Sequence, residues 1–163
     1  MQKKTMKNYI LAVLLAGILL VLDQVSKIWA AAALAERPIE IIPGVFELRY
    51  LENHGAAFGI LQNQRWFFLI LTAAFVVFLI LAYHRLPGGK RHLPLRILCA
   101  ALLAGALGNA IDRAFLGYVR DFLYFRLIDF PIFNVADIYV TLSAAVFIIL
   151  VLFVYKDDDF KFL

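Results

Sequence analysis

The sequence has little charge, and this scarcity indicates the class of protein. Of its 163 residues, 17% are charged and 64% are hydrophobic, whereas soluble domains are about 25% charged and about 45 to 50% apolar. A soluble domain near this length removes only about 68 to 70% of its unfolded surface from water, which is too little to bury so many apolar side chains. The composition therefore excludes an ordinary soluble domain and predicts that lipid is the solvent.

Cysteine and clustered metal ligands are also scarce. The single cysteine, Cys99, excludes an intramolecular disulfide and a cysteine-based metal cluster, and the apolar run around it favours a packing role. The three histidines, His54, His84 and His92, lack the spacing of a zinc-binding helix. The sequence has no glycine-rich phosphate loop and no basic surface interleaved with aromatic residues. We therefore expect no metal, no cofactor and no nucleic acid partner, despite the net charge of +4.

Four apolar stretches are long enough, or nearly so, to cross a bilayer as helices, which takes roughly 17 to 25 residues. They cover approximately residues 10–33, 66–83, 95–116 and 138–155. The first could be taken for a secretory signal because Lys3, Lys4 and Lys7 precede it, but it continues past Asp23, so we expect it to be retained. The sequence thus predicts an all-α polytopic membrane protein with four transmembrane helices in a single domain, residues 1–163.

The distribution of Lys and Arg predicts the orientation of the spans. Nine of them lie at the two chain ends and in the link between spans two and three, against six in or beside the two remaining loops. Positively charged segments are retained in the cytoplasm. Both termini are therefore expected to be cytoplasmic, and the two remaining loops external.

The two external loops differ in character. In the first, residues 46–50 alternate between apolar and charged side chains, which predicts a short strand and hence a small external β-cradle. In the second, aromatic residues are so dense between residues 122 and 133 that we expect an interfacial outer loop, lying at the membrane surface rather than in water.

Ionisable residues within the spans are the first candidates for function, because each costs about 2.5 to 3.5 kcal/mol to insert into a membrane. Asp23 and Lys27 lie four residues apart in span one, the spacing of a helical ion pair. Four residues of span three share one helical face: Gly105, Asn109, Asp112 and Arg113. Both groups could serve a site or only neutralise and pack the helices. Arg113 is not expected to pair with Asp112, since adjacent helical residues face apart.

Two further carboxyls are expected at the external membrane face. Asp121 lies at the outward end of span three and Asp137 begins span four, with 15 residues between them. Two carboxyls in one site of low dielectric constant share a proton, so the ionised one can take a proton from water while the other polarises a scissile carbonyl. This is the chemistry of aspartic proteases, although spacing alone leaves open whether Asp112 or Asp121 is the partner of Asp137.

The first external loop also contains a compact polar turn, Asn53-His54-Gly55-Ala56. On one interpretation it only leads the chain into span two. On the other, its small residues admit a substrate backbone, which the Asn53 amide holds by hydrogen bonds. His54 is interpreted as a loop residue rather than a base.

Together these residues resemble the lipoprotein signal peptidases of bacteria, the signal peptidase II family. Five motifs in order carry the resemblance: Leu22-Asp23-Gln24-Val25-Ser26-Lys27, Asn53-x-Gly55-Ala56-Ala57-Phe58, Gly108-Asn109-x-x-Asp112-Arg113, Val119-x-Asp121-Phe122 and Phe133-Asn134-x-Ala136-Asp137. The resemblance implies four transmembrane helices, an external cradle and an aspartyl dyad without metal, in the bacterial inner membrane.

Carried over residue by residue, the resemblance implies that Asp121 and Asp137 are the catalytic pair. It implies supporting or substrate-binding roles for nine further residues: Asp23, Lys27, Asn53, Gly55, Gly108, Asn109, Asp112, Arg113 and Asn134. The implied substrate is a prolipoprotein whose cysteine bears diacylglycerol, cleaved just before that cysteine in contact with membrane lipid. Cyclic peptides of the globomycin type are the implied inhibitors. The loop between the two aspartates is somewhat short for the family, which leaves its substrate contacts open.

Two other classes of function remain open on the residues alone. Buried Asp, Lys and Arg side chains could form the relay of a small proton-coupled transporter, or their ion pairs could orient the helices of a non-catalytic scaffold. A relay would extend through the full depth of the membrane, whereas the polar residues crowd the outer halves of spans one, three and four. A serine–lysine dyad of Ser143 and Lys27 has no support beyond the presence of both residues in the spans.

Overall fold

The computed structural model describes residues 5–56 and 60–161 of the chain. Lys3, Lys4, Ala57 and Phe58, which entered the predictions above, lie outside these residues. Within the described ranges, four helices are long and apolar enough to cross a membrane. They are α1 (Met6–Ala33), α2 (Arg65–Arg85), α3 (Leu93–Phe115) and α4 (Val135–Ile149), and α4 reaches this length together with the helical residues Leu150–Val154 that continue it. Short helical turns adjoin them at Lys90–His92, Arg126–Ile128, Leu150–Val154 and Asp157–Phe160.

The predicted fold class is confirmed by these helices and by a small three-stranded antiparallel sheet. The observed helices begin a few residues before the predicted spans, as at Met6 and Val135. This difference arises because polar residues at the end of a span still form helix, although they add nothing to an apolar run.

Local sequence explains several helix ends. Pro94 lies in the first turn of α3, where its missing N–H has no intrahelical partner to lose. Gly117, just beyond α3, has a φ of +89°, a left-handed conformation that glycine adopts easily and that turns the chain away from the helix. Asn134 caps α4, since its side chain accepts a hydrogen bond from the Asp137 N–H while the Asp137 carboxylate accepts one from the Asn134 N–H.

Helix α3 is the centre of the bundle, because it packs against α1, α2 and α4. Three small side chains, Ala16, Ala100 and Ala104, are buried where α1 meets α3 and allow close approach. Gly105 does the same toward α4: a Cβ atom at this position would lie 2.7 Å from the backbone oxygen of Ala136. Most large apolar side chains on the outward faces of the helices are exposed, as expected for helices that lipid surrounds.

The sheet has the order β1 (Ile39–Ile42), β2 (Phe46–Asn53) and β3 (Val119–Tyr124). β2 contains the predicted strand and extends it to Asn53. Strand β3 corrects one prediction. Asp121, predicted at the outward end of the third span, lies on this strand opposite Leu51. Pairing with β2, a segment distant in sequence, makes these residues a strand, and local patterns do not reveal such contacts.

The aromatic segment that follows divides into a buried and an exposed part. Phe122 is 4% exposed and packs against Ala30 and Leu34, at the junction of the sheet with α1. Leu127 and Ile128 are each 69% exposed. The second part of the segment thus has the exposed apolar side chains that the predicted interfacial loop requires.

Glu47 departs from the pattern expected of a strand with one apolar face, since this charged side chain is 2% exposed. Its Oε1 lies 2.6 Å from the Arg49 Nη2, and its Oε2 lies 3.6 Å from the Arg126 Nη1. Two guanidinium groups therefore offset the free-energy cost of burying this carboxylate.

The start of α1 and the last helical turn meet the end of α2 and the link between α2 and α3 at one end of the bundle. The Tyr83 hydroxyl donates a hydrogen bond of 2.8 Å to the Asn8 carbonyl, which joins the end of α2 to the start of α1. Arg91, in the link, donates two hydrogen bonds of 3.1 and 2.8 Å to the Asp159 carboxylate. The sheet lies at the opposite end, where α1 and α3 finish.

A substitution of Gly105 tests the packing of α3 against α4. In Gly105→Ala, the added methyl would meet the Ala136 carbonyl, and we expect the fold to lose about 1 to 3 kcal/mol of stability. Gly17→Ala is the control, because a Cβ at Gly17 meets nothing within 4 Å. Thermal unfolding in detergent should show a lower midpoint for the first variant only; equal midpoints would contradict this packing.

Candidate active site

Asp121 and Asp137 line the same cavity, which has a volume of about 420 Å³. Strand β3 carries Asp121, and the first turn of α4 carries Asp137. Asn53, Asn109 and Arg113 line the cavity with them. The structure therefore brings together five of the residues that the sequence predicted for a site, from two strands and two helices.

Asn134 contacts both carboxyl groups. Its Nδ2 donates a hydrogen bond of 2.6 Å to Asp121 Oδ1, and its backbone N–H donates one of 3.0 Å to Asp137 Oδ2. The side chain is fully buried, and its Oδ1 accepts a hydrogen bond from the backbone N–H of Asp137. The cap of α4 thus also sets the relative positions of the two aspartates.

Two further amides complete the partners of this pair. The Asn53 Nδ2 donates a hydrogen bond of 2.9 Å to Asp121 Oδ2, and the Asn109 Nδ2 donates one of 2.8 Å to Asp137 Oδ1. Lys27 contacts one of these amides rather than the carboxyls, since its Nζ donates to Asn109 Oδ1 at 2.9 Å. The two carboxyls are therefore held by neutral donors, and no cation that the structure describes forms an ion pair with either one.

A separate ionic cluster lies beside the cavity. Lys27 Nζ is 3.0 Å from Asp23 Oδ2 and 3.7 Å from Asp112 Oδ2, and all three side chains are fully buried. Arg120 Nη2 is 2.7 Å from Asp112 Oδ1. Two cations thus balance two carboxylates, which makes the cluster neutral and limits the cost of its burial.

Gly108 makes room for this cluster, because a Cβ at this position would collide with Asp23 Oδ2. The other oxygen of Asp23 accepts a hydrogen bond of 2.9 Å from the backbone N–H of Ala136. Asp23 therefore joins α1 to the start of α4, directly beside Asp137.

Two residues of this network, Gln24 and Arg120, are absent from the predicted site. Arg120 binds Asp112 through its backbone N–H at 3.0 Å and through its guanidinium, and its Nη2 also donates to Gln24 Oε1 at 3.0 Å. Gln24 in turn donates to the Gly108 carbonyl. Both residues lie inside the motifs quoted above. A prediction of strand β3 would have identified Arg120, because the side chains of a strand alternate and so put Arg120 and Asp121 on opposite faces.

Arg113 turns away from Asp112, in agreement with the helical geometry. Its Nη2 donates a hydrogen bond of 2.9 Å to the Gly55 carbonyl, and its guanidinium lies 4.5 Å from the centre of the Phe68 ring. The Gly55 N–H donates to Asn53 Oδ1 at 3.0 Å. The polar turn after β2 is therefore fixed against α3 at the edge of the cavity.

The electrostatics of the cavity favour a protonated Asp121. Burial raises the pKa of this carboxyl, and the negative charge of Asp137 raises it further. The hydrogen bonds from Asn53 and Asn134 oppose the shift, and the resulting pKa is about 7. Asp121 can thus hold or release a proton near neutral pH.

Two other chemistries considered from the sequence have less geometric support. Lys27 is engaged by Asp23, Asn109 and Asp112, and no contact joins it to Ser143 in the part of the chain that the structure describes. Among residues 5–56 and 60–161, no three His, Cys, Asp or Glu side chains converge as metal ligands. The carboxyl pair is therefore the strongest candidate for chemistry.

The fold and the cavity define a class, that of polytopic membrane enzymes with polar groups gathered at one end of the bundle. Two solved structures, each described as a bacterial membrane enzyme, are similar to this chain with TM-scores of 0.79 and 0.78. Both are 33% identical to it. The first similarity covers 93% of this chain and 92% of the other, and the second covers 95% and 99%.

Sequence comparison identifies the family. The family model for signal peptidase (SPase) II matches residues 15–153. A lipoprotein signal peptidase of Symbiobacterium thermophilum is 49% identical over 136 residues, which are 82% of this chain and 88% of the relative. One of Streptococcus pyogenes is 38% identical over 144 residues, 88% of this chain and 91% of the relative. The chain belongs to the signal peptidase II family of multi-pass bacterial membrane proteins, and the resemblance drawn from its five motifs is confirmed.

Removing Arg120 tests the ionic cluster. Arg120→Met leaves Asp112 buried without its closest cation, and we expect a loss of about 3 to 5 kcal/mol, the cost of breaking a buried pair. The Arg120→Met/Asp112→Asn double variant should lose less, because it also removes the uncompensated carboxylate. The measurement is thermal unfolding in detergent, with the exposed Arg37→Met as control. A single variant as stable as the control would show that the pair contributes nothing.

Proposed function

We propose that the protein is an aspartic endopeptidase that removes the signal peptide from diacylglyceryl-modified prolipoproteins. The main support for this proposal is the cavity that Asp121 and Asp137 share. These two carboxyls have neutral amide partners, whereas the neighbouring carboxylates, Asp23 and Asp112, are neutralised by cations. Membership of the signal peptidase II family, and relatives named lipoprotein signal peptidase, support the substrate class. The chain acts as a single domain spanning residues 1–163.

In the proposed reaction the pair carries one proton at the start. Asp121 holds it, in keeping with its pKa of about 7. Asp137 is the carboxylate, which the amino-terminal end of α4 and the N–H groups of Asn109 and Asn134 stabilise.

Hydrolysis then proceeds by acid–base catalysis. Asp137 takes a proton from water as the water oxygen attacks the scissile carbonyl carbon, and Asp121 donates its proton to the carbonyl oxygen. The tetrahedral intermediate collapses as its hydroxyl returns a proton to Asp121. The carbon–nitrogen bond breaks, and Asp137 delivers its proton to the departing nitrogen of the lipidated cysteine. One water is consumed, and the pair again holds one proton.

The surrounding residues have supporting roles in this proposal. Asn53 and Arg113 line the cavity, and both contact Gly55; we assign these three residues to binding of the substrate backbone. Asn109 and Asn134 position the two carboxyls. The cluster of Asp23, Lys27 and Asp112 holds the helices that carry them, with Gly108 as its spacer.

The proposed orientation follows from the substrate and from charge. The precursor is anchored by its diacylglycerol in the outer leaflet, so the carboxyl pair lies near the external face of the bacterial inner membrane. Both termini and the basic link between α2 and α3 are then cytoplasmic, as the positive-inside rule requires. Globomycin-type cyclic peptides would bind in the same cavity.

A proton-coupled transporter is the weaker candidate. Such a protein needs ionisable side chains in succession across the membrane. Among the described residues of the spans, the buried carboxylates gather at the sheet end, and the buried Arg96 at the other end donates to the Pro87 carbonyl instead. No relay between the two ends is present among these residues.

Substitution of the aspartates tests the catalytic assignment. Asp121→Asn and Asp137→Asn should each lower kcat/KM for a diacylglyceryl-modified precursor by at least about 100-fold, because each removes a proton donor or acceptor. Asp157→Asn, an exposed carboxylate in the carboxy-terminal turn, is the matched control. Near-normal cleavage by folded Asp121→Asn or Asp137→Asn would refute the pair. Loss of chemistry with intact binding in Asp112→Asn alone would identify a different carboxylate.

The pH dependence of cleavage tests the proton on Asp121. Because its pKa is about 7, the singly protonated pair is lost as the pH rises through that value. We expect kcat/KM to fall by about tenfold per unit above about pH 7, measured on purified protein in detergent. Asp157→Asn should keep the same profile. Activity that stays constant to about pH 9 would contradict a proton donor with this pKa.

A further inference from the structure

A second cavity adjoins the one that holds the aspartates. Its volume is about 560 Å³, compared with about 420 Å³ for the first. Five residues line both cavities: Asn53, Ala56, Phe130, Pro131 and Ile132. A polypeptide bound at the carboxyl pair can therefore continue into the second cavity along a shared wall.

The two cavities differ in chemistry. The first includes residues of the membrane spans, among them Ile138 and Leu142 of α4. The second is formed only by residues outside the four spans. Besides Asn53 and Tyr124, five polar side chains line it, from β2, the turn residues that follow β2 and the segment after β3: Arg49, Glu52, His54, Gln62 and Asp129. The first cavity therefore lies partly within the spans, whereas the second lies outside them.

The second cavity also carries uncompensated negative charge. The positive charge of Arg49 is offset by Glu47, whose Oε1 lies 2.6 Å from its Nη2. Glu52 and Asp129 are exposed, and each accepts a hydrogen bond from a tyrosine hydroxyl. In the part of the chain that the structure describes, neither carboxylate forms an ion pair.

We propose that this second cavity binds the polar segment that follows the lipidated cysteine of the precursor, and that Glu52 and Asp129 favour basic residues in that segment. The inference rests on the proposed function. The signal peptide, on one side of the scissile bond, is apolar and stays in lipid. The mature chain, on the other side of the scissile bond, must extend away from the spans. The second cavity is polar, adjoins the site and lies outside the spans, so it can receive this part of the precursor.

The test compares three diacylglyceryl-modified precursors that differ only in the two residues after the cysteine: Lys-Lys, Ser-Ser or Glu-Glu. For the unaltered protein we expect kcat/KM to be about two- to tenfold higher with Lys-Lys than with Glu-Glu, as for one or two exposed charge pairs. The Glu52→Lys/Asp129→Lys double variant should reverse this order. High salt should weaken the preference in both proteins, because it screens exposed charges.

A matched control separates this effect from total charge. Glu36→Lys/Asp157→Lys makes the same charge change at exposed residues that line neither cavity, and it should keep the original order. Equal kcat/KM for Lys-Lys and Glu-Glu in the unaltered protein would overturn the inference, as would an unreversed order in the Glu52→Lys/Asp129→Lys variant. The Ser-Ser precursor would still be cleaved in those cases, so the proposed function would stand. Failure to cleave Ser-Ser would overturn both.

Discussion

The structure depends on how buried carboxylates are compensated at one end of a membrane-spanning bundle. Four of them converge there: Asp23, Asp112, Asp121 and Asp137. Burying an unpaired charge costs several kcal/mol, so Asp23 and Asp112 can be buried as carboxylates only because Lys27 and Arg120 lie beside them. The other two have amide partners alone. In the proposed mechanism, this division makes one pair structural and leaves the other with a proton to exchange.

The structural pair also determines where Asp121 and Asp137 lie. Asp112 binds both the backbone N–H and the guanidinium of Arg120, which ties β3 to α3 next to Asp121. Asp23 binds the backbone N–H of Ala136, which ties α4 to α1 next to Asp137. The contacts that join the elements of the fold are therefore one residue away from the groups proposed to react, and weakening them would move those groups.

The sequence predicted most of the fold because its determinants are local. Hydropathy located the four helices, and helical spacing predicted that Asp23 meets Lys27 and that Arg113 turns away from Asp112. The meeting of Asp121 with Asp137 is different, since it requires β3 to pair with β2 and Asn134 to cap α4. Sequence spacing left two partners open for Asp137, and only family motifs chose between them. The role of Arg120 escaped prediction because it depends on that same long-range pairing.

Asp121 and Asp137 are proposed to share a proton that the neighbouring carboxylates do not have. Infrared spectroscopy of the purified protein measures this directly, through the C=O stretching band of a protonated carboxyl during a pH titration. A shared proton predicts such a band at about pH 6 that disappears as the pH passes about 7 and that is absent from Asp121→Asn. A protein with no protonated carboxyl at about pH 6, or a band that Asp121→Asn leaves unchanged, would contradict it.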